Sequence, residues 1–241
     1  MTIIQKKIPD RMHYMVETHA NYKANIAKII NNSNRFSTLQ INENPKGHYK
    51  KLLRENIVYK TLIEDLNLPK VTWWQHENLF PEGYLQSKIN ETQDAKDFSD
   101  TEIKRMLPCI FDRFNFMITN PFYEAGFPLK VRSKTVNGKS DSYLYLPQKN
   151  IDDSSGLTEY IGVLLHYPSG DAFGEKPVSA LILGTIAKEE IQKHPISRVP
   201  YGPNKNIEAY SVSIDSYRSL NDLENKISHP RVHEFLDKLI L

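Results

Sequence analysis

The side chains best placed to do chemistry fall in two short runs. In the first, His166 stands near the end of an apolar stretch, 160–167, with Ser169 and Asp171 just beyond it and Glu159 at the stretch's other end. An imidazole titrates near neutrality and a strand end opens onto accessible loops. The arrangement therefore suits a general base, with His166, Asp171 and Glu159 as the candidate catalytic residues of a small-molecule enzyme. A rim histidine satisfied by hydrogen bonds is the alternative, because no G-x-S-x-G elbow or other nucleophile motif accompanies it. In the second run, DFSDTEIK, Asp97 and Glu102 are followed by Lys104. Two carboxylates and an amine so spaced on strands can hold a divalent metal and polarise an attacking water.

Over about eight residues this second run resembles the metal-binding strand of MutH-like restriction endonucleases. The resemblance implies Asp97 and Glu102 as metal ligands of a nuclease-type enzyme. Its context departs from that family, which places the Glu and Lys on a β-strand. Here Ser99 followed three positions later by Glu102 spells a capping box, the start signal of a helix. On a helix Glu102 and Lys104 would point about 200° apart. Weaker metal spacing occurs at His229, His233 and Asp237, where Pro230 puts His229 at a helix cap and no third ligand is identifiable. Gly138-Lys139-Ser140 lacks the upstream glycine of a phosphate-binding loop. The sequence specifies no cofactor and no oligomeric state.

Charge supplies the broader functional signal. Residues 1–70 carry 12 Lys and Arg against 6 Asp and Glu, while residues 141–241 carry 10 against 14. A formal net charge of +2 thus conceals two differently charged ends, and partners respond to local fields rather than totals. Arg11, Lys23, Lys28, Lys46, Lys50, Lys51, Arg54 and Lys60, with Tyr14 and Tyr22 nearby, form the candidate nucleic-acid-binding set. A solvated helix face is the other reading of the same residues. No zinc-finger spacing or RNA-recognition aromatic motif is present to specify a sequence reader. The aromatic segment with Trp73, Trp74, His76, Phe80 and Tyr84 offers an anchor for a protein partner or for stacked bases, against the simpler role of core packing.

The leading expectation is a nucleic-acid-associated protein that holds phosphate backbone through basic helices. A non-enzymatic protein-interaction component and a small-molecule enzyme are the alternatives. Cys109 cannot form an internal disulfide with a second cysteine, so a buried inert thiol in a reducing, cytoplasmic setting is expected. The opening MTIIQKKIPDR interrupts any secretory apolar core, and no stretch approaches the ~18 apolar residues of a membrane span.

These residues need a scaffold, and hydrophobic periodicity supplies its outline. A helix is predicted from Asp10, with Met12, Met15, Val16, His19, Tyr22, Ile26, Ile29 and Ile30 on one face; a second is predicted over 47–66, closed by Pro69, with Ile63 inward. The capping box opens a third helix, kinked by Pro108. After Asn120-Pro121 the period becomes two. Residues 131–136 and 142–146 flank Asn137-Gly138 and read as a β-hairpin, and 160–167 with 178–186 read as a second pair buried on both faces. Residues 195–206 read as a proline-rich loop, 208–214 as a strand, and 220–227 and 230–241 as helices. The expected class is α+β: a helical, basic part (1–126) packed on a mostly antiparallel β-rich part (127–241) with C-terminal helices.

Overall fold

The computed structural model describes residues 3–33, 41–68, 71–73, 83–111, 115–120, 125–136, 142–154, 158–168, 175–200 and 205–223. Strand β1 (Ile4–Lys7) leads into α1 (Asp10–Asn32) and α2 (Pro45–Lys60), which continues as a π turn over Thr61–Asp65. β2 (Val71–Trp73), α3 (Tyr84–Glu91), a 3₁₀ turn (Ala95–Asp97) and α4 (Asp100–Ile110) follow. Next come β3 (Phe116–Asn120), β4 (Ala125–Val136), β5 (Tyr143–Pro147), α5 (Gln148–Asp152) and β6 (Glu159–His166). The described chain closes with β7 (Ser179–Ala187), α6 (Lys188–Ile191), β8 (Ile196–Pro200), β9 (Asn206–Ser213) and a 3₁₀ turn at Ile214–Ser216. This is an α+β fold. The expected helix over 230–241 lies outside the described residues.

Two compact units divide the chain. A helical unit comprises Pro9–Asn56 and Trp73–Asn115, and a sheet unit comprises Met1–Ile8, Ile57–Thr72 and Phe116–Leu241. In the helical unit, Ile26, Ile29 and Ile30 of α1 pack with Leu85 and Ile89 of α3 and with Ile103, Met106 and Cys109 of α4. The capping box forms as the sequence predicts: the Ser99 hydroxyl accepts from the Glu102 backbone N–H at 3.3 Å, while Glu102 accepts from Ser99 N–H at 2.6 Å. α1 starts one residue earlier than a cap at Asp10 would place it. Pro9 occupies the cap position and its carbonyl accepts from Met12 N–H at 2.9 Å, leaving Asp10 in the first turn, where the helix dipole favours an anion. Ile63, expected inward, is 38% exposed, because the wider π turn that carries it departs from the α period.

The sheet unit shows where local pattern and long-range pairing disagree. The six-stranded sheet runs β1-β7-β6-β4-β3-β2 and a three-stranded sheet runs β5-β9-β8. The pair β6 and β7 is antiparallel as expected, with Tyr160 opposite Ile186 and His166 opposite Ser179. The expected hairpin across Asn137-Gly138 does not form. β4 instead runs parallel to β6, from Leu129 opposite Glu159 to Val136 opposite His166, and β5 pairs with β9 in the other sheet. The reason lies in burial. Seven of the eight β6 residues are buried, so the strand needs a long neighbour on each side. β5 alternates exposed Tyr143 and Tyr145 with buried Leu144 and Leu146, a pattern that fits a sheet covered on one face. The expected loop at 195–206 also contains a strand, β8, whose alternating exposure and terminal Pro200 suit a sheet edge.

β7 carries a glycine that the fold requires. Gly184 has φ of 122°, and a Cβ there would lie 1.9 Å from the Arg218 carbonyl oxygen. That close approach allows two backbone bonds, Thr185 N–H to Arg218 O at 2.9 Å and Arg218 N–H to Thr185 O at 2.7 Å. They clamp the segment after β9 onto the sheet.

Candidate functional site

The cationic set of the first helices resolves into residues with different surroundings. On α1, Arg11, Lys23 and Lys28 are separated by 12 and 5 residues, which at about 100° per residue sends them in three directions around the axis. Arg11 is exposed, Lys28 half-buried and Lys23 only 1% exposed. The three α1 members of the candidate nucleic-acid-binding set therefore do not share one surface, and Lys23 is not available to a phosphate.

α2 differs. Lys46, Lys50 and Arg54 recur every four residues, so they form a stripe about 80° wide and about 12 Å long. Lys46 and Lys50 are exposed and Arg54 is half-buried; Lys51 is half-buried off the stripe, and Lys60, at the end of α2 in the sheet unit, is exposed. Glu55 is the single acidic residue of α2 and is 0% exposed. Its carboxylate accepts from Trp73 Nε1 at 2.9 Å and from Asn115 Nδ2 at 2.8 Å. The outward surface of this helix consequently carries cations without an anion from its own sequence. Trp73, a candidate anchor for partners, is buried and committed to Glu55. Trp74, His76 and Phe80 lie outside the described residues.

Beneath the stripe is a buried network in which opposing effects can be separated. Desolvation lowers Lys23 to about 8, with the Glu55 charge, Cys109 and a hydrogen bond with Lys51 acting the other way. Burial also lowers His48 to about 4, assisted by Lys23 and Lys51. The ring is neutral and its Nε2–H donates to the Asn42 carbonyl at 2.6 Å. Cys109 is a free, buried thiol, pushed up to about 12 by desolvation, which makes it inert as expected.

The sign of the Lys23 effect gives a direct test. An unfolded lysine, with its ordinary value of 10.5, binds a proton that folded Lys23 has largely released above about 8, so this group makes stability rise with pH across that interval. Cys109 acts oppositely from 9 upward, because the folded thiol keeps a proton that the unfolded one loses. Between pH 8 and 9 the wild type should gain about 1 kcal/mol relative to Lys23→Met in urea unfolding. Parallel pH dependences in the two proteins would contradict the assignment.

The expected metal ligands are occupied otherwise. Glu102 Oε1 accepts from Lys88 Nζ at 2.9 Å and from the Tyr84 hydroxyl at 2.9 Å, while Oε2 accepts from Ser99 N–H and from Ser99 Oγ at 2.8 Å. Lys88, followed by the Ser99 bonds, holds this carboxyl down to about 2. Asp97 Oδ2 accepts from Thr92 Oγ1 at 2.6 Å. Glu102 and Lys104 sit on α4 rather than on a strand, with Glu102 buried and Lys104 exposed. No group of three or more potential metal ligands occurs among the described residues. The nuclease-like spacing is thus a helix start.

Nor do the expected catalytic residues converge. Glu159 and His166 begin and end β6, seven residues and about 23 Å apart, with an odd offset that puts them on opposite sheet faces. Glu159 is buried with Arg218 Nη2 3.8 Å from its Oε1, and the His166 carbonyl accepts from Val178 N–H at 2.9 Å. Asp171 and Ser169, like His229, His233 and Asp237, lie outside the described residues. Sequence reasoning missed the Glu55 network, although a signal existed: Lys23 falls on the i, i+4, i+7 arc of Val16, Ala20, Ala27 and Ile30. No helix among the described residues is long and apolar enough to cross a membrane. Comparison of the chain with family models, with curated proteins and with solved structures finds no match.

Proposed function

We propose that the protein associates with nucleic acid through the phosphate backbone, using Lys46, Lys50 and Arg54 on α2. The observation that carries this reading is the charge segregation of that helix: its exposed face bears the cations, and its one acid is buried under Trp73 and Asn115. Successive cations rise by about 6 Å along the axis, close to the roughly 6.8 Å rise of two nucleotides on one strand. Contacts of this kind set affinity without reading sequence, so the expected binding is non-specific. Glu102, a residue that a metal-dependent cleavage would need, is engaged in the capping box, and the proposal includes no hydrolysis. We place the protein in the cytoplasm, where Cys109 remains a thiol.

Fluorescence anisotropy against a duplex oligonucleotide over a salt series tests the proposal. Binding should weaken linearly in log K against log salt, and Lys46→Gln/Lys50→Gln should flatten the slope by about 1.8, from about 0.9 for each lost phosphate contact. Absence of binding at low ionic strength, or an unchanged slope in the variant, would overturn it.

A further inference from the structure

Within the helical unit, α1 and α2 are joined by a phenol and an imidazole. Tyr49 Oη lies 2.5 Å from His13 Nδ1, with the ring centroids 6.2 Å apart and the ring planes 26° from parallel. His13 is 4% exposed and Tyr49 half-buried, so packing fixes the imidazole while the bond between the two rings is only partly buried. With the ring proton on Nε2, the Tyr49 hydroxyl donates to Nδ1. This is how a nucleophile sits on its general base: within hydrogen-bond reach of a group that cannot turn away.

The same turn of α2 carries cations. Lys46 precedes Tyr49 by three residues, which makes the two neighbours on the helix surface with about 5–6 Å between Cβ atoms, and Lys50 follows Tyr49 directly. A phosphate held by the exposed Lys46 is thereby within a side chain's length of the phenol. Tyr84 supplies a contrast. Its hydroxyl donates to Glu102 at 2.9 Å, but a carboxyl held down to about 2 takes up no proton near neutrality, so that pair does not activate the phenol. An imidazole is the side chain suited to that exchange.

We infer that Tyr49 is the nucleophile of a phosphodiester transfer, with His13 as its general base; the inference rests on the nucleic-acid reading of α2. Tyr49 Oη attacks a backbone phosphorus, and its proton passes to His13 Nδ1. As the new O–P bond forms, the bond from phosphorus to one bridging ribose oxygen breaks. That oxygen leaves as a hydroxyl with a proton from solvent, and the imidazolium returns its own proton to solvent. One phosphate ester replaces another, so no water is consumed and one strand end stays attached to the protein. Lys46 opposes the negative charge that builds on the phosphoryl oxygens in the transition state. Reversal of the step rejoins the strand.

Trapping the covalent adduct is the test. The full chain is incubated with single- and double-stranded oligonucleotides carrying radiolabelled internal phosphates, quenched in hot detergent and resolved by electrophoresis. The wild type should give a labelled protein band, and peptide mapping should place the phosphate on Tyr49. Tyr49→Phe keeps the ring and should lose the band. His13→Asn leaves an amide in reach of the phenol but nothing that takes its proton, so adduct formation should slow about a hundredfold or more near neutrality. It should recover with rising pH, because an alkaline medium removes the phenol proton without a base. A bond that only ties the helices together would leave the pH profile unchanged. Both variants should keep the wild-type salt-dependent binding in anisotropy, and the wild-type trap stands by itself if either unfolds. Salt-dependent binding without any adduct would overturn this inference alone, whereas absence of binding at low ionic strength would overturn the α2 reading beneath it. A band that persists in Tyr49→Phe, or a wild-type pH profile in His13→Asn, would also overturn the assignment.

Discussion

Replacing Glu55 with alanine should cost about 3–5 kcal/mol of unfolding free energy, a large share of the roughly 5–15 kcal/mol that holds a domain together. The side chain is fully buried and serves three groups at once. Its removal takes an acceptor from the Trp73 indole N–H and from the Asn115 amide, which donate to it at 2.9 and 2.8 Å, and takes away the anion whose charge favours the Lys23 ammonium. Most of the loss comes from polar groups left without compensation rather than from the worth of the contacts themselves. The double variant Lys23→Met/Glu55→Ala should consequently be more stable than Glu55→Ala alone. Urea unfolding of the four proteins in the cycle measures the coupling, and a cost below about 1 kcal/mol for Glu55→Ala would show that water replaces the carboxylate without penalty.

Gly184→Ala should be the most damaging single change in the sheet unit, at about 3 kcal/mol or more. An added methyl would meet the Arg218 carbonyl at 1.9 Å, and the backbone is held at φ of 122°, where an L side chain is strongly disfavoured. Relief requires breaking the reciprocal Thr185–Arg218 backbone bonds, which frees the neighbouring Tyr217 from its place over Gly162. Thermal unfolding would read the effect, and a Gly184→Ala protein as stable as the wild type would contradict the geometry.

What the sequence revealed depended on how local the determining forces were. The start of α4 was readable because Ser99 and Glu102 satisfy each other within one turn, and the pairing of β6 with β7 because both are apolar over most of their length. The Asn137-Gly138 signal misled because turn chemistry is weaker than the burial gained when β4 lies along β6. Pro195 and Pro200 suggested a loop where they mark the ends of an edge strand. In the candidate sites, the sequence offered eight cations as one set, and the stripe of Lys46, Lys50 and Arg54 separates from the others only once α2 is in place. The burial of Lys23 could have been suspected from its apolar arc, while the Glu55 carboxylate near it and that carboxylate's own donors, Trp73 and Asn115, are far apart in sequence.

The outermost strand of the large sheet sets the order in which a nascent chain can mature. Ile4 pairs with Ile182, so β1 waits for a partner made 178 residues later, roughly 9–36 s at ordinary elongation rates. All the segments of the helical unit have been synthesised well before then, whereas the large sheet cannot close until β7 is made. Such high contact order predicts slow acquisition of the sheet and an interval during which Ile4–Lys7 presents an unpaired edge, with Lys6 and Lys7 as its safeguard against aggregation.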